Sequence, residues 1–328
     1  MGRRHLEAVR MCGWSLAGAC DANEESLQAA VGEGLVEPSA CFKNVDELLS
    51  KIKPDLAIVS TPADFHCETV CKAAVAGVKY ILCEKPMAVS LEECDRMIAT
   101  CESNNAVLGV NYGRRFFKEF QWIKKVLQSP QMGGMRNMSV MAGNIGMCMT
   151  GTHFIEVFAW FTKSARFQVV AFLEDDPNPN PRGAHYRDAV GLLRLVAESG
   201  EVLMISFGSD QGHGISVNYG CQNGWMVTDE MNRWVRLCYR RQEDRTRSSS
   251  RYGTPSVVKV ANMEPLDVVK SSVNVMKALV GGGDFPSGKI GRRMVAILVA
   301  AHLSSENGHR VLDVDSIGWA RERKFAWA

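Results

Sequence analysis

A lysine at the end of an apolar run is the residue of this chain best suited to proton transfer. Lys85 lies in Glu84-Lys85-Pro86, directly after Tyr80-Ile81-Leu82-Cys83, a run typical of a buried strand. Open α/β sheets bind their ligands at the carboxyl ends of parallel strands. Pro86 restricts the residue before it to extended backbone, which fixes the direction in which Lys85 leaves the strand. We predict that Lys85 holds an amine at a binding crevice; an ordinary strand-end lysine is the alternative.

His153 stands at the start of an apolar helix predicted over residues 153–161. It follows Gly151-Thr152, and the rest of the helix carries Phe154, Val157, Phe158, Trp160 and Phe161. Taken alone, a histidine at a helix start is most often a capping or packing residue. Paired with a strand-end lysine from another domain, its imidazole would supply a second proton-transfer group. We therefore predict an interdomain catalytic site that contains both side chains.

Asp21 is the candidate ligand for a dinucleotide. It ends the apolar run 16–20, and an acidic residue after the second strand of a dinucleotide-binding fold accepts hydrogen bonds from the adenosine ribose. Its charge repels a 2′-phosphate, which favours NAD over NADP. Gly2 lies 19 residues earlier, at the place of the last glycine of G-x-G-x-x-G. The strand and the two glycines that come before that position are absent, so we expect either a start upstream of Met1 or poor dinucleotide binding.

The elements that position these residues alternate between strand and helix up to residue 113. Apolar runs at 16–20, 56–60, 80–83 and 107–110 predict strands. Asn23, Asn44 and Ser90 stand where N-caps are expected, the last two with Glu three residues later as in a capping box. Strands that alternate with helices indicate a parallel sheet. Residues 1–113 are therefore predicted to form a Rossmann-type α/β domain whose first strand is missing or truncated.

Residues 114–328 show a different order of elements. Strands are predicted at 134–143, at 166–174 and repeatedly between 187 and 240, and helices at 266–280 and 289–307. Runs of strands followed by helices indicate an α+β domain with a largely antiparallel or mixed open sheet.

The composition narrows the functional classes. A net charge of +2 gives no indication of nucleic-acid or membrane binding, and no apolar run is long enough to span a bilayer. Without a signal-peptide pattern we expect a cytoplasmic protein whose 11 cysteines are reduced. Neither the cysteines nor the 7 histidines show a four-ligand spacing, so we predict no metal site.

These landmarks together resemble the Gfo/Idh/MocA oxidoreductase family, which includes glucose–fructose oxidoreductase and inositol dehydrogenase. The segments that carry the resemblance are Gly2-Arg3-Arg4-His5, Asp21, Thr61-Pro62-Ala63-Asp64-Phe65-His66, Ala76-Gly77-Val78-Lys79-Tyr80, Cys83-Glu84-Lys85-Pro86-Met87-Ala88, Asn111-Tyr112-Gly113-Arg114-Arg115-Phe116 and Gly151-Thr152-His153. They occur in the order and spacing of the family, and the resemblance is strongest up to about residue 165.

The resemblance implies an NAD(P)-dependent redox reaction on a sugar, a cyclitol or a related substrate. Lys85 would then lie near the nicotinamide, and His153 would match the catalytic histidine of the family. The other implied cofactor contacts are Thr61, Pro62, His66 and Glu84. Tyr112 and Arg115 would face the substrate. The family also implies a homodimer or homotetramer.

One position departs from the family pattern. Many members carry Asp four residues before the histidine, and here that position is Met149, which leaves Asn144 as the nearest polar substitute. Two alternatives therefore stand beside a sugar dehydrogenase. One is a non-redox or catalytically impaired member that binds a sugar or a protein partner. The other is a relative that uses NAD for transient oxidation during glycoside cleavage.

Overall fold

The computed structural model describes residues 1–143, 145–247 and 256–327. The chain forms two compact units. Unit 1 contains Met1–Phe116, Asp267–Val295 and Ala320–Ala328, and unit 2 contains Phe117–Leu266 and Ala296–Trp319. The first division falls close to the predicted boundary at residue 113. The predicted second domain, 114–328, differs from the structure because two of its segments return to unit 1.

The described residues form nine α-helices and fourteen strands. The helices are α1 (Gly2–Cys12), α2 (Glu24–Gly32), α3 (Val45–Lys51), α4 (His66–Val75), α5 (Leu91–Ser103), α6 (Lys118–Leu127), α7 (Thr152–Thr162), α8 (Val268–Gly281) and α9 (Gly288–Glu306). The strands are β1 (Ala19–Cys20), β2 (Cys41–Phe42), β3 (Leu56–Val59), β4 (Tyr80–Cys83), β5 (Val107–Val110), β6 (Met135–Gly143), β7 (Phe167–Asp175), β8 (Ala189–Ala197), β9 (Val202–Gly208), β10 (Ser216–Cys221), β11 (Gly224–Asp229), β12 (Trp234–Tyr239), β13 (Val257–Asn262) and β14 (Leu312–Asp313).

The parallel sheet of unit 1 is divided into two pieces. Strands β1 and β2 pair with each other, and β3, β4 and β5 form a separate sheet in that order; every pairing is parallel. This confirms the Rossmann-type class. The strand predicted over residues 16–20 is shorter than expected, because β1 pairs with β2 alone among the described residues and only Ala19 and Cys20 join that ladder.

Local signals fix the helix ends as the sequence predicts. The side chain of Asn23 accepts from the backbone N–H of Glu25 at 2.8 Å, and Ser90 Oγ accepts from that of Glu93 at 3.2 Å. Asn44 also caps its helix, and its side chain accepts from the backbone N–H of Asp46. Glu47 pairs with Lys51 one turn later, so its side chain does not make the reciprocal hydrogen bond of a capping box.

Long-range packing explains why α8 returns to unit 1. Val273, Val275, Met276 and Leu279 of α8 are buried together with Leu82 of β4 and with Ala8 and Val9 of α1. This cluster joins the two helices to the three-stranded sheet. Burying an apolar side chain contributes about 1.5–3 kcal/mol, so the α8 face gives unit 1 much of its core.

Unit 2 is built on a mixed sheet. Among the described residues it has nine strands in the order β13-β12-β11-β10-β6-β9-β8-β7-β14, and β6 and β9 are parallel whereas the other neighbours are antiparallel. This confirms the predicted open sheet. Burial alternates along its strands: Leu193 and Leu195 of β8 are buried, while Leu192 and Arg194 are exposed. No helix within the described ranges is long and apolar enough to cross a membrane.

Candidate active site

A buried carboxylate lies directly before Lys85 at the carboxyl end of β4. Glu84 Oε1 is 2.7 Å from Nε2 of His5 on α1 and 2.8 Å from Nδ2 of Asn111, which follows β5. Glu84 Oε2 accepts from the backbone N–H of Lys85 at 3.2 Å. Three separate segments therefore converge on one carboxyl group, which we call the Glu84 centre (His5, Glu84 and Asn111). All three side chains are buried.

The surroundings of Glu84 keep it ionised. Burial alone would raise the pKa of this carboxyl, but the hydrogen bond and charge of His5, the Asn111 amide and the Lys85 charge together lower it to about 2. Two polar atoms of the centre, Nδ1 of His5 and Oδ1 of Asn111, are buried without a hydrogen-bond partner among the described residues. Buried polar atoms are normally satisfied, so these two remain available to a hydroxyl or amide of a bound molecule.

His66 ties two turns at the same edge of the sheet. Its Nε2 lies 2.8 Å from the carbonyl oxygen of Thr61, after β3, and its Nδ1 lies 3.0 Å from that of Pro86, after β4. Burial lowers the pKa of His66, although the carbonyls and the charge of Glu84 oppose this. The buried ring thus positions the Thr61-Pro62 turn; its direct contact with a cofactor stays a prediction.

Asp21 and Gly2 lie at the carboxyl ends of other strands. Asp21 follows β1 and is exposed, and its Oδ1 accepts from the N–H of Asn23 at 2.9 Å. Gly2 is the first residue of α1, and a Cβ built on it would stand 3.6 Å from Oγ of Ser60, just after β3. The start of α1, where backbone N–H groups carry partial positive charge, therefore lies at this edge.

The predicted catalytic lysine and the predicted substrate residues of unit 1 are buried to different extents. Lys85 is half-buried and its peptide bond to Pro86 is cis. Tyr112 and Arg115 are buried, and Arg115 Nη1 lies 3.5 Å from Oδ1 of Asp284. The substrate roles of Tyr112 and Arg115 stay predictions.

In unit 2, His153 belongs to the first turn of α7 and is half-buried. A π-helical turn, Met147–Gly151, runs directly into this helix. The carboxylate of Asp188 accepts from the backbone N–H of Cys148 at 2.6 Å and from that of Met149 at 2.7 Å. A carboxylate is therefore bound at the turn where Met149 replaces the family aspartate, but it comes from a different segment. Asn144 lies outside the described residues.

Sequence reasoning assigned no role to His5, Asn111 or Asp188. His5 and Asn111 lie 79 and 27 residues from Glu84, and Asp188 lies 39 residues from Met149. A signal existed for His5, because it shares one face of α1 with Ala8 and Val9, and a histidine on an apolar face needs a buried partner. Asp188 offered no comparable signal.

Residues 1–112 match the family model of the GFO_IDH_MocA oxidoreductases, described as an oxidoreductase family with an NAD-binding Rossmann fold. The match covers about a third of the chain and agrees with the resemblance to the Gfo/Idh/MocA oxidoreductases drawn from the sequence. The matched model describes an NAD-binding fold, so NAD is the cofactor expected for this region.

Curated proteins match part of this chain. A 2,7-anhydro-N-acetylneuraminate hydratase from Mediterraneibacter gnavus is 34% identical over 104 residues, which cover 31% of this chain and 28% of that protein. A myo-inositol 2-dehydrogenase from Thermotoga maritima is 28% identical over 134 residues, covering 40% of this chain and 39% of that protein. The chain thus matches well under half the length of these curated relatives.

Solved structures resemble the chain over nearly its whole length. An oxidoreductase from Agrobacterium radiobacter, in complex with NAD+, L-tartaric acid and magnesium, has a TM-score of 0.77 at 16% identity, with 96% of each chain covered. A super-repressor mutant of Gal80p from Saccharomyces cerevisiae has a TM-score of 0.74 at 12% identity, covering 95% of this chain and 94% of that chain. At such low identity these likenesses show the fold alone.

The residues of unit 1 fit a bound dinucleotide. The exposed carboxylate of Asp21 can accept from ribose hydroxyls, and the two unsatisfied atoms of the Glu84 centre can bind a hydroxyl or an amide. Asp21, Gly2, Thr61 and Glu84 all lie at the carboxyl edge of the parallel strands, where this fold class binds its ligands.

Proposed function

We propose that this protein is an NAD-dependent oxidoreductase that acts on a hydroxyl-bearing carbon of a sugar, a cyclitol or a sugar derivative. The observation that carries the proposal is the Glu84 centre, a buried ionised carboxylate with two unsatisfied polar neighbours directly beside Lys85. Buried polar atoms are normally paired, so Nδ1 of His5 and Oδ1 of Asn111 support a contact with a bound molecule at this centre.

In this proposal each residue group has its own role. Asp21 accepts from the adenosine ribose and selects NAD over NADP. Thr61 and Pro62 line the cofactor, on the turn that His66 holds in place. Glu84, oriented by His5 and Asn111, binds near the nicotinamide ribose. The nicotinamide, when bound, supplies the hydride acceptor or donor. Lys85 and His153 exchange the proton of the substrate hydroxyl as its carbon loses or gains hydride.

A matched pair of lysine variants tests this proposal. NADH formation is measured with a panel of sugars and cyclitols, and NAD affinity is measured separately by calorimetry. We expect Lys85→Ala to lower kcat at least about 100-fold while the Kd for NAD stays unchanged. Lys79→Ala, at the exposed lysine before the opposite end of β4, should change neither quantity. Equal kcat values for the two variants would refute the role of Lys85.

A second candidate function is favoured by Met149. Its thioether cannot ionise, so the turn before His153 lacks the aspartate side chain common in the family. A member without redox turnover that binds a sugar or a protein partner would tolerate this replacement, and a repressor shares the fold. Calorimetry separates the candidates: sugar binding without NAD binding favours this second function. Sugar release without net NADH would instead indicate transient oxidation during glycoside cleavage.

We also propose that the protein is a homodimer or homotetramer assembled through the nine-stranded sheet. Phe172, Leu192 and Met204 stand on neighbouring strands and are 49%, 42% and 39% exposed. Adjacent exposed apolar side chains of this kind are typical of interaction surfaces.

A further inference from the structure

The turn that leads into α7 is capped by a side chain from a distant segment. Met147–Gly151 and α7 form one continuous helical run, and the first N–H groups of such a run have no partner within it. The residue before the run, Gly146, has no side chain with which to cap them. The carboxylate of Asp188 accepts from two of these groups, the N–H of Cys148 at 2.6 Å and that of Met149 at 2.7 Å. Asp188 therefore takes the place of an N-cap residue.

Gly146 makes room for this carboxylate. A Cβ built on Gly146 would overlap with Cγ and both carboxylate oxygens of Asp188, so any side chain here would keep the carboxylate away from the two N–H groups. The carbonyl oxygen of Gly146 also accepts from the N–H groups of Thr150 and Gly151, at 3.0 and 3.2 Å. The start of the turn is thus satisfied by two residues together, and we call this pair, Gly146 and Asp188, the α7 cap.

The capped turn is closely packed and has π-helical geometry. A Cβ built on Gly151 would stand 2.8 Å from Sδ of Met147 and 3.3 Å from the ring of Phe207 on β9. Turns of this kind are rare and are frequent only at functional sites. Contacts from outside the helix are therefore needed to hold the turn in this register, and the carboxylate of the α7 cap is such a contact.

His153 stands directly after this turn. The rest of α7 is held by buried side chains, among them Phe154, Val157 and Phe158, whereas His153 is half-buried. A helical side chain leans toward the N-terminus of its helix and covers the preceding turn. The orientation of the His153 imidazole therefore depends on the turn that the α7 cap holds.

We propose that Asp188 is a positioning residue for His153 and acts through the backbone of the turn before α7. The proposal rests on the proposed function for the part that His153 plays in the reaction. It also accounts for how the turn is held with Met149 in place of the family aspartate. The negative charge comes from Asp188 instead, at a helix start whose partial positive charge stabilises it.

Labelling of the histidines tests the positioning without any turnover. The full-length protein is treated with diethyl pyrocarbonate, and mass spectrometry gives a rate for each histidine. In Asp188→Ala the uncapped turn frays, so we expect His153 to be labelled at least about 3-fold faster than in wild type. His309, an exposed residue after α9, should keep its rate. Asp176→Ala, at an exposed aspartate that accepts from the N–H of Asn178, should leave both rates unchanged.

Two further variants separate the cap from the folding of Asp188→Ala. Gly146→Ala breaks the cap without changing Asp188, because the added methyl group displaces the carboxylate. The two alanine variants and their double variant should label His153 at the same raised rate, since each breaks the same contact. Asp188→Asn keeps one acceptor oxygen and should give an intermediate rate. Unchanged His153 rates in Gly146→Ala and Asp188→Asn would overturn the proposal even if Asp188→Ala does not fold, and so would additive effects in the double variant.

Steady-state kinetics distinguish this proposal from the proposed function. With a substrate that is turned over in the NADH assay, we expect Asp188→Ala to lower kcat about 10- to 100-fold, because small displacements of a catalytic group are costly. The KM for NAD should stay unchanged, since the proposed NAD contacts lie in unit 1. Faster His153 labelling in a chain that oxidises no sugar would refute the proposed function and still support the positioning of His153. An unchanged kcat despite faster labelling would overturn the role of Asp188 in the reaction.

Discussion

Replacing Glu84 by glutamine tests whether the Glu84 centre stabilises the fold through the charge of its carboxylate. Gln keeps the shape of the side chain, and its oxygen can still accept from His5 and Asn111. It carries no charge, and its amide nitrogen cannot accept from the Lys85 N–H. The pKa of Glu84 is about 2 in the folded chain against an ordinary value of 4.5. At about 1.36 kcal/mol per pKa unit, this difference corresponds to roughly 3 kcal/mol of folding free energy at pH 7.

The sign of the pH dependence follows from the direction of this shift. The folded chain binds the Glu84 proton less tightly than the unfolded chain, so the stabilisation is fully present above about pH 4.5. It declines as the pH falls toward the folded pKa of about 2. Linkage gives roughly 1.5 kcal/mol at pH 3, about half the value at neutral pH. The stability difference between wild type and Glu84→Gln should therefore shrink as the solution is acidified.

Urea denaturation at pH 7, 4 and 3 measures this difference. Glu102→Gln is the matched control, because Glu102 is exposed and pairs with Lys289 at 3.2 Å on the surface. We expect Glu102→Gln to change the free energy of unfolding by less than about 1 kcal/mol at every pH. A Glu84→Gln effect that is equally large at pH 7 and pH 3 would show that lost packing, rather than lost charge, explains it. An effect below about 0.5 kcal/mol at pH 7 would refute the ionised centre altogether.

Two further predictions concern unit 2. Asp188→Ala removes both charged acceptors from the turn before α7, and we expect a loss of about 2–3 kcal/mol in the free energy of unfolding by urea. Asp176→Ala, which removes an exposed contact to the N–H of Asn178, should cost far less, and equal losses would contradict the assignment. Leu192→Glu should convert the proposed oligomer to monomers in light scattering, since it places a charge on the exposed apolar sheet face. Met231→Glu, at a 71% exposed turn residue, should leave the mass unchanged; the same mass for both variants would argue against this interface.

The structural features that the sequence predicts best are those that depend on a few consecutive residues. The cap at Asn23 depends on an N–H two residues later, and the one at Ser90 on an N–H three residues later, so the residue types suffice. Strands β4 and β5 coincide with their apolar runs because both lie inside a covered parallel sheet. In the same way, the carboxyl-edge positions of Asp21 and Lys85 follow directly from the alternation of strands and helices.

Contacts between distant segments account for what the sequence did not predict. Nothing near Asp188 indicates that its carboxylate binds the backbone at Met149, since the contact exists only once β8 has joined the sheet. The return of α8 to unit 1 also depends on tertiary packing: its apolar face would suit either unit until Leu82 and Val9 are placed against it. Residue types gave the helix, and only the fold determined its partner.

The divided sheet of unit 1 gives His5 a role in connecting the two proposed cofactor contacts. Asp21 follows β1, in the two-stranded piece, whereas Glu84 follows β4, in the three-stranded piece, and no ladder of described residues joins the pieces. Helix α1 leads into β1 and carries His5, which contacts Glu84 at 2.7 Å. Ala8 and Val9 of the same helix pack against Leu82 of β4. Helix α1 therefore sets the separation between the proposed ribose ligand, Asp21, and the proposed nicotinamide site at Glu84. It does so through one buried hydrogen bond and one apolar contact, and not through strand pairing.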